Sequence, residues 1–150
     1  MILLVFILIL MAGGILAGIA SKWSTAAARW ISLIAVLTDL VLAIVLWIES
    51  GAKMIATNSN WLLDYNFPWI KEFGISFHMA LDGLSLLMLI LTFFLGVFAV
   101  LISWKEIQYK IGFFHFNLLW VLAGIAGVFL TMDLFLFYFF WEVMLIPMYF

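Results

Sequence analysis

The stretch Leu84–Ser103, LSLLMLILTFFLGVFAVLIS, decides the fold of this chain. Its 20 residues include no charged side chain and only three hydroxyl-bearing ones. A helix that crosses the roughly 30 Å hydrocarbon core of a bilayer needs about 20 mostly apolar residues. The stretch therefore predicts a transmembrane helix.

The composition of the whole chain indicates the same class of protein. Of its 150 residues, 69% are hydrophobic and 9% are charged, and the mean hydropathy is +1.34. A soluble domain is about half apolar and a quarter charged, and disorder requires low hydrophobicity. The net charge of −2 excludes a basic surface for nucleic acid. The absence of cysteine excludes disulfides, thiolate metal sites and cysteine nucleophiles.

Five apolar stretches predict an all-α membrane protein, a multi-span transmembrane helix bundle. Four of them are complete, and a fifth begins near Leu134 and is still apolar at Phe150. Because no polar flank follows the fifth, we expect the chain to be the N-terminal part of a larger protein whose C-terminal part is missing. The predicted spans are Ile2 to Ala20, Trp30 to Ile48, Leu84 to Ser103, Phe113 to Leu130 and Leu134 to Phe150.

The basic residues predict the orientation of the bundle. Two short loops, 21–29 and 104–112, hold bases at high density, whereas the long loop 49–83 holds two lysines in 35 residues. Cytoplasmic loops carry an excess of Lys and Arg. We therefore expect the short loops to be cytoplasmic, and the long loop and the N-terminus to lie on the periplasmic side.

Most of the long outer loop is polar and predicts irregular structure. From Phe73 to Ala80, however, apolar and small or polar residues alternate, which predicts a short strand on the membrane surface. Trp61 to Phe67 is its candidate hairpin partner, with Pro68 and Gly74 bracketing the turn. The alternative is an amphipathic coil whose aromatic side chains, Trp61, Tyr65 and Trp69, form an interfacial belt.

Glu142 is the strongest candidate for chemistry. If the fifth span starts after Asp133, Glu142 lies about 13.5 Å along the helix, close to the bilayer midplane. The run FFWEVM around it offers nothing that solvates a carboxylate. Either Glu142 carries a proton, or it pairs with a cation from the missing part of the protein or another subunit. The alternative is a neutral glutamate that holds two helices together.

Pro147 and Asp39 are two further candidate residues. Pro147 has no N–H for the carbonyl of Val143, so it predicts a helix kink beside Glu142. This kinked, partly hydrated helix suits a proton path, although a simple kink explains it equally well. Asp39 lies at the centre of the second span and is either functional or a neutral packing acid.

The remaining polar residues predict mostly structural roles. Asp82 and Asp133 stand at the starts of spans, where an acid caps the helix. His115 lies near the cytoplasmic end of the fourth span and is either a proton relay or an interfacial or hydrogen-bonded histidine. No metal site and no cofactor-binding motif is evident.

Four stretches resemble the antiporter-like membrane subunits of respiratory complex I, the NADH:quinone oxidoreductase. Within that family the resemblance is to the group of bacterial subunit M and mitochondrial chain 4. The stretches are Phe73–Met88 (FGISFHMALDGLSLLM), Gly112–Trp120 (GFFHFNLLW) and Asp133–Phe150 (DLFLFYFFWEVMLIPMYF), together with Ser103–Glu106 (SWKE).

The resemblance implies a proton-translocating subunit in the bacterial inner membrane, coupled to electron transfer from NADH to quinone. It implies that Glu142 is the channel glutamate, paired with a lysine on a later broken helix, and that Pro147 belongs to the same motif. The partners would be other membrane subunits of the complex and lipid. No cofactor would be bound by this chain, and the redox chemistry would belong to the rest of the complex. The alternatives are a subunit of an Mrp-type sodium/proton antiporter or membrane-bound hydrogenase, or a purely structural membrane module.

Overall fold

The computed structural model describes residues 2–57, 61–70 and 75–149. In this part of the chain, four helices are long and apolar enough to cross a membrane, and a fifth apolar helix is shorter. The predicted fold class is confirmed, including the small hairpin. The elements are α1 (Ile2–Ala20), α2 (Thr25–Thr57), β1 (Leu63–Ile70), β2 (Ile75–Leu81), α3 (Gly83–Glu106), α4 (Ile111–Leu130) and α5 (Leu134–Tyr149).

Helix α4 occupies the middle of the bundle, because it packs against all four other helices. The core consists of side chains from all five helices and from β2, and one of its centres is a stacked pair, Phe6 and Phe93, with ring centroids 5.6 Å apart. Gly14 on α1 allows close packing: a Cβ there would lie 3.3 Å from the carbonyl oxygen of Phe116 on α4. Small residues serve this purpose in lipid, where apolar burial does not drive helices together.

The second helix corrects the prediction of an irregular segment after residue 48. Helix α2 continues to Thr57, although only the segment Thr25–Glu49 is apolar enough to span a membrane. The run ESGAKMIAT at its end contains good helix formers such as Ala, Lys and Met. Polarity ends the membrane span, but it does not end the helix.

The outer loop contains the predicted hairpin. Strands β1 and β2 pair antiparallel, with Tyr65 opposite Met79 and a register irregularity between Pro68 and Ile70. The expectation that Pro68 brackets the turn is wrong, since Pro68 lies in β1 opposite Ser76. A two-stranded sheet consists of edge strands, and an edge strand tolerates a residue without an N–H. Phe73 and Gly74, also part of the predicted strand and turn, lie outside the described residues.

The hairpin is attached to the loop between α4 and α5. Met79 pairs with Thr131 in an isolated bridge, and the N–H of Met132 donates to the carbonyl of His78 at 2.9 Å. Met79 and Leu81 are fully buried. Across the hairpin, Nε2 of His78 lies 2.8 Å from Oδ1 of Asp64. The hairpin thus covers the end of the bundle opposite the α1–α2 and α3–α4 connections.

Candidate functional site

The start of α5 is fixed by Asp133. Its Oδ1 accepts hydrogen bonds from the N–H groups of Phe135 (2.8 Å) and Leu136 (3.4 Å), and its Oδ2 accepts one from the N–H of Ser76 (3.2 Å). The bond from Ser76, together with those from the helix amides, holds the pKa of the Asp133 carboxyl below its usual value. The predicted cap is confirmed, and the same carboxylate also links α5 to the hairpin. Asp82, the other predicted cap, accepts from the N–H of Ser85 at 2.7 Å.

The rotation of α5 about its axis is set by its packing on α4. A Cβ on Gly124 would lie 2.8 Å from Cβ of Met144 and 3.3 Å from the carbonyl oxygen of Phe140, and one on Gly127 would meet the Phe140 ring. These two glycines, one turn apart, therefore accommodate one face of α5. Leu136, Phe140 and Pro147 are the buried residues of that helix.

Glu142 lies on the opposite face and is exposed on the surface of the bundle. It is eight residues into α5, about 12 Å along the axis. The residues at one-turn spacings from it share its exposure and are aromatic or aliphatic. They are Phe135, Tyr138, Phe139, Leu145, Ile146 and Tyr149. We call these residues, together with Glu142, the outward face of α5. It is an apolar surface with a single acid.

Tyr138 is the polar neighbour of that acid on the same helix face. It precedes Glu142 by four residues, about one helical turn, and is exposed like it. Among the side chains that the structure describes, no Lys, Arg or His forms an ion pair with Glu142. In the described part of the chain, the carboxyl group of Glu142 is therefore available on the outer surface.

Pro147 lies one turn and a residue beyond Glu142 and faces inward. It is buried, and α5 continues through it to Tyr149. It lines a cavity of about 180 Å³ together with Phe113, Asn117 and Trp120. Because Pro147 lacks an N–H, the Val143 carbonyl has no intrahelical donor there.

Asp39 lies in the opposite environment, inside the bundle. Its side chain is fully buried, and neither carboxyl oxygen has a hydrogen-bond partner among the described residues. Val36, one turn earlier on the same face, packs close to Gly96 of α3. Asp39 and Glu142 are therefore not brought together.

His115 is also inside the bundle rather than at its surface. The side chain is fully buried, and both ring nitrogens are without a partner in the described part of the chain. Its ring packs edge-on against Phe114, with centroids 5.6 Å apart. His115 is therefore not at the surface of the bundle, and whether it is a proton relay or a hydrogen-bonded histidine stays a prediction.

Sequence patterns did not single out several polar residues near Glu142 and near the start of α2. Tyr138 was hidden among aromatic residues, although its i−4 spacing from Glu142 was a usable signal. Arg29 and Trp104 each have a buried nitrogen without a partner in the described chain. The Ser76–Asp133 contact joins residues 57 positions apart, and no local pattern predicts it.

Comparison with known proteins gives a consistent set of relatives. The chain is 50% identical over 146 residues to NADH-quinone oxidoreductase subunit M of Escherichia coli K12, covering 96% of this chain and 29% of that protein. It is 50% identical over 153 residues to the subunit M of Pseudomonas aeruginosa, covering 100% of this chain and 30% of that protein. It is 35% identical over 121 residues to NAD(P)H-quinone oxidoreductase chain 4 2 of Synechococcus elongatus, covering 81% and 22%. The chain thus spans less than a third of the length of these relatives.

A solved structure shares the fold. The chain superposes on a chain of the membrane-bound sulfane sulfur reductase, an archaeal respiratory membrane complex, with a TM-score of 0.64 and 22% identity. The match covers 95% of this chain and 21% of that one. At this identity the likeness concerns the arrangement of the helices. No protein-family model matches the chain.

Proposed function

The chain belongs to the family of NADH-quinone oxidoreductase subunit M, and on that premise we propose that it supplies a carboxylate of a proton-translocating pathway. The complete subunit would act as an antiporter-like membrane subunit that couples electron transfer from NADH to quinone to proton pumping. The observation that carries the proposal is the position of Glu142, exposed on an apolar helix face with Tyr138 one helical turn before it.

The cost of a carboxylate in lipid supports this role. An acid at the centre of a membrane helix costs about 3 kcal/mol by insertion scales, and such residues face protein or water and mark ion pathways. Glu142 does not face the core of these five helices, because α5 buries Leu136 and Phe140 and packs Phe140 against Gly127 of α4. The outward face of α5 therefore needs a protein partner from elsewhere. Relatives more than three times as long have ample chain to provide one.

The partner would be a lysine on a later helix, as the resemblance implies. A lysine ammonium close to the Glu142 carboxylate binds its own proton more tightly. The lysine releases that proton more readily when the two charges move apart. Tyr138 would keep the carboxylate oriented during such a change. Pro147 would leave the neighbouring Val143 carbonyl available to water or to a side chain of the partner helix.

The surroundings of the site follow from the same proposal. The loops 21–24 and 107–110 would face the cytoplasm of a bacterium, and the hairpin and N-terminus would face the periplasm, since bases concentrate at the short-loop end. The neighbours would be lipid and other membrane subunits of the complex. Electron transfer is assigned to those other subunits, and no cofactor is assigned to this chain.

The test is Glu142→Gln in the complete complex. Glutamine keeps the size and hydrogen bonding of the side chain but removes its charge. We expect assembly to be unchanged, and NADH-driven proton pumping to fall about tenfold or more, because losing about 1.4 kcal/mol of coupling changes a proton equilibrium tenfold. Pumping is measured in membrane vesicles, with NADH oxidation as a parallel readout.

The matched control is Glu49→Gln. Glu49 is an exposed glutamate at the end of the α2 span, so its loss of charge should leave pumping unchanged. If an assembled Glu142→Gln complex pumps like the parent, the proposal is wrong. If the complex fails to assemble and Glu142→Asp restores assembly without a pumping defect, Glu142 is a structural link between helices. Pumping without peripheral redox subunits would instead indicate an Mrp-type antiporter.

A further inference from the structure

A second group of polar side chains is buried where α2 and α4 begin and α3 ends. Four nitrogen atoms of three residues have no hydrogen-bond partner in the described part of the chain: Nε of Arg29, Nε1 of Trp104, and Nδ1 and Nε2 of His115. A buried donor or acceptor left unsatisfied costs about 1–3 kcal/mol. Such a concentration within three residues calls for a ligand.

These side chains belong to one region. The Nη2 of Arg29 donates to the carbonyl of Ile107 at 3.2 Å, which fixes the start of α2 against the end of α3. His115 lies four residues into α4, as Arg29 lies four residues into α2, so both stand about 6 Å inside the same end of the bundle. Trp104 packs on Trp30, the neighbour of Arg29, with ring centroids 5.2 Å apart.

The nearby hydroxyl groups do not satisfy these nitrogens. Ser32 donates to the carbonyl of Ala28 at 2.9 Å, and Ser103 donates to the carbonyl of Val100 at 2.6 Å. Both bonds stay within the residue's own helix. The four nitrogen atoms must therefore find their partner outside the described side chains.

That partner must be small. All four atoms are already covered by this chain, so a later helix or another subunit cannot reach them without displacing the helices that bury them. The Arg29 Nε–H, the Trp104 indole N–H and one imidazole N–H are donors, and the other imidazole nitrogen is an acceptor. Two water molecules suit this set, because each accepts two hydrogen bonds and donates two, so together they accept the three N–H bonds and donate one to the imidazole.

A cleft lies close to this region. It has a volume of about 330 Å³, lies at the same end of the bundle and is lined in part by Ser21, Gln108, Lys110 and Ile111. Ile111 precedes His115 by four residues, which is one helical turn, or about 6 Å. The cleft thus brings the aqueous phase within one turn of the imidazole.

We infer that Arg29, Trp104 and His115 form an internal water-binding site, and that His115 exchanges protons through this water with the aqueous phase at the short-loop end. In each exchange, water on one side of the ring delivers a proton to the accepting nitrogen, and the N–H of the other nitrogen gives one to the water on its own side. The ring is then neutral in its other tautomer, and transfer in the reverse direction restores the first. The inference rests on the proposed proton translocation and adds a site on α4 that is separate from Glu142 on α5.

The first test is structural. A density map of the complete complex at a resolution that shows ordered water should contain water within hydrogen-bonding distance of His115 and of either Arg29 Nε or Trp104 Nε1. A dry site overturns the inference. Direct bonds from protein groups to both His115 ring nitrogens overturn it as well.

The second test is functional. His115→Gln retains hydrogen bonding to water but has no second nitrogen that passes a proton on, so we expect proton pumping per NADH to fall severalfold in an assembled complex. Ser32→Ala is the matched control, because it removes a buried hydroxyl of the same region that is satisfied within its own helix. Unchanged pumping in His115→Gln contradicts the inference.

Two further measurements keep the outcome decisive. If His115→Gln does not assemble, Trp104→Phe keeps the aromatic packing and removes one donor to the water. It should also lower pumping severalfold, and normal pumping would again overturn the inference. Glu142→Gln separates the two proposals: if both variants pump normally, proton translocation by this chain fails, and if only His115→Gln does, the water site alone fails.

Discussion

The outward face of α5 and the interior of the α1–α4 bundle provide opposite environments for a carboxyl group. Glu142 and Asp39 stand at similar depths in apolar helices, and the sequence around each offers little to solvate a charge. Glu142 is exposed beside Tyr138, whereas both oxygens of Asp39 are buried without a partner in the described chain. Depth in the membrane is therefore not the decisive variable. The direction of the side chain determines whether an acid can meet a partner from outside the five helices.

The same difference separates the two kinds of polar site. An exposed group such as Glu142 can be served by another helix or subunit, so its chemistry can be coupled to events elsewhere. The buried nitrogens of Arg29, Trp104 and His115 accept only a small partner. One region is suited to contact with protein and the other to water. The loss of pumping expected for Glu142→Gln is the largest effect that this contrast predicts.

Asp39→Leu tests whether the buried carboxyl of Asp39 destabilises the subunit. Replacing an unsatisfied buried carboxyl with an apolar side chain of similar size should stabilise the subunit by about 3 kcal/mol, since two buried oxygens are relieved. The thermal unfolding of the purified complex measures the change. The control is Thr38→Leu at an exposed neighbouring position, where we expect a change within about 0.5 kcal/mol. If Asp39→Leu destabilises the subunit instead, the Asp39 carboxyl makes a stabilising contact in the folded protein. The contrast drawn with Glu142 would then be wrong.

Gly124→Ala tests whether packing on α4 directs Glu142 outward. The added Cβ would lie 2.8 Å from Cβ of Met144, so α5 must move, at an expected cost of about 2 kcal/mol. The subunit should unfold at lower temperature, and pumping should fall with it.

Gly18→Ala is the matched substitution for this test. A Cβ there lies at an ordinary 3.8 Å from Cβ of Phe116, so stability should be unchanged or slightly improved. Equal effects of the two substitutions would show that close approach of α4 and α5 is not what orients Glu142.

Asp133→Asn tests the link between the hairpin and α5, with the smallest expected effect. Asparagine caps a helix about as well as aspartate, so the expected cost is that of the lost charge at the helix N-terminus, about 0.5 kcal/mol, and the bond from Ser76 is weakened with it. Hydrogen exchange of the β2 amides in the complex should become faster, while exchange in α3 stays unchanged.

The pH dependence of this link has a definite sign. Because the pKa of folded Asp133 is below its usual value, the stabilisation is fully present above about pH 4, the ordinary range of an aspartate. It is lost as the pH falls further, through the lowered pKa of the folded state. Equal exchange rates in the parent and Asp133→Asn at neutral pH would contradict the role assigned to this carboxylate.

Much of the fold was predictable because it depends on local sequence. An apolar run of about 20 residues specifies a span wherever it occurs, an acid before a helix satisfies free amides, and strict alternation specifies a strand. These signals predicted the five helices, both caps and the hairpin. They did not predict that α2 continues past its apolar part to Thr57, because helix formation and membrane partition are separate properties of a sequence.

The candidate site was predictable only as a list of residues. The sequence by itself determined that this is a helical membrane protein and that Glu142 lies deep in its fifth span. Only the tertiary structure decided which way each polar side chain faces, since helices that are apolar on every side have no hydrophobic periodicity to fix their rotation. That rotation follows from close contacts of small residues, such as Gly124 with Met144, and from the long-range bond of Ser76 to Asp133. Those contacts, made between distant parts of the chain, expose Glu142 and enclose Asp39 and His115.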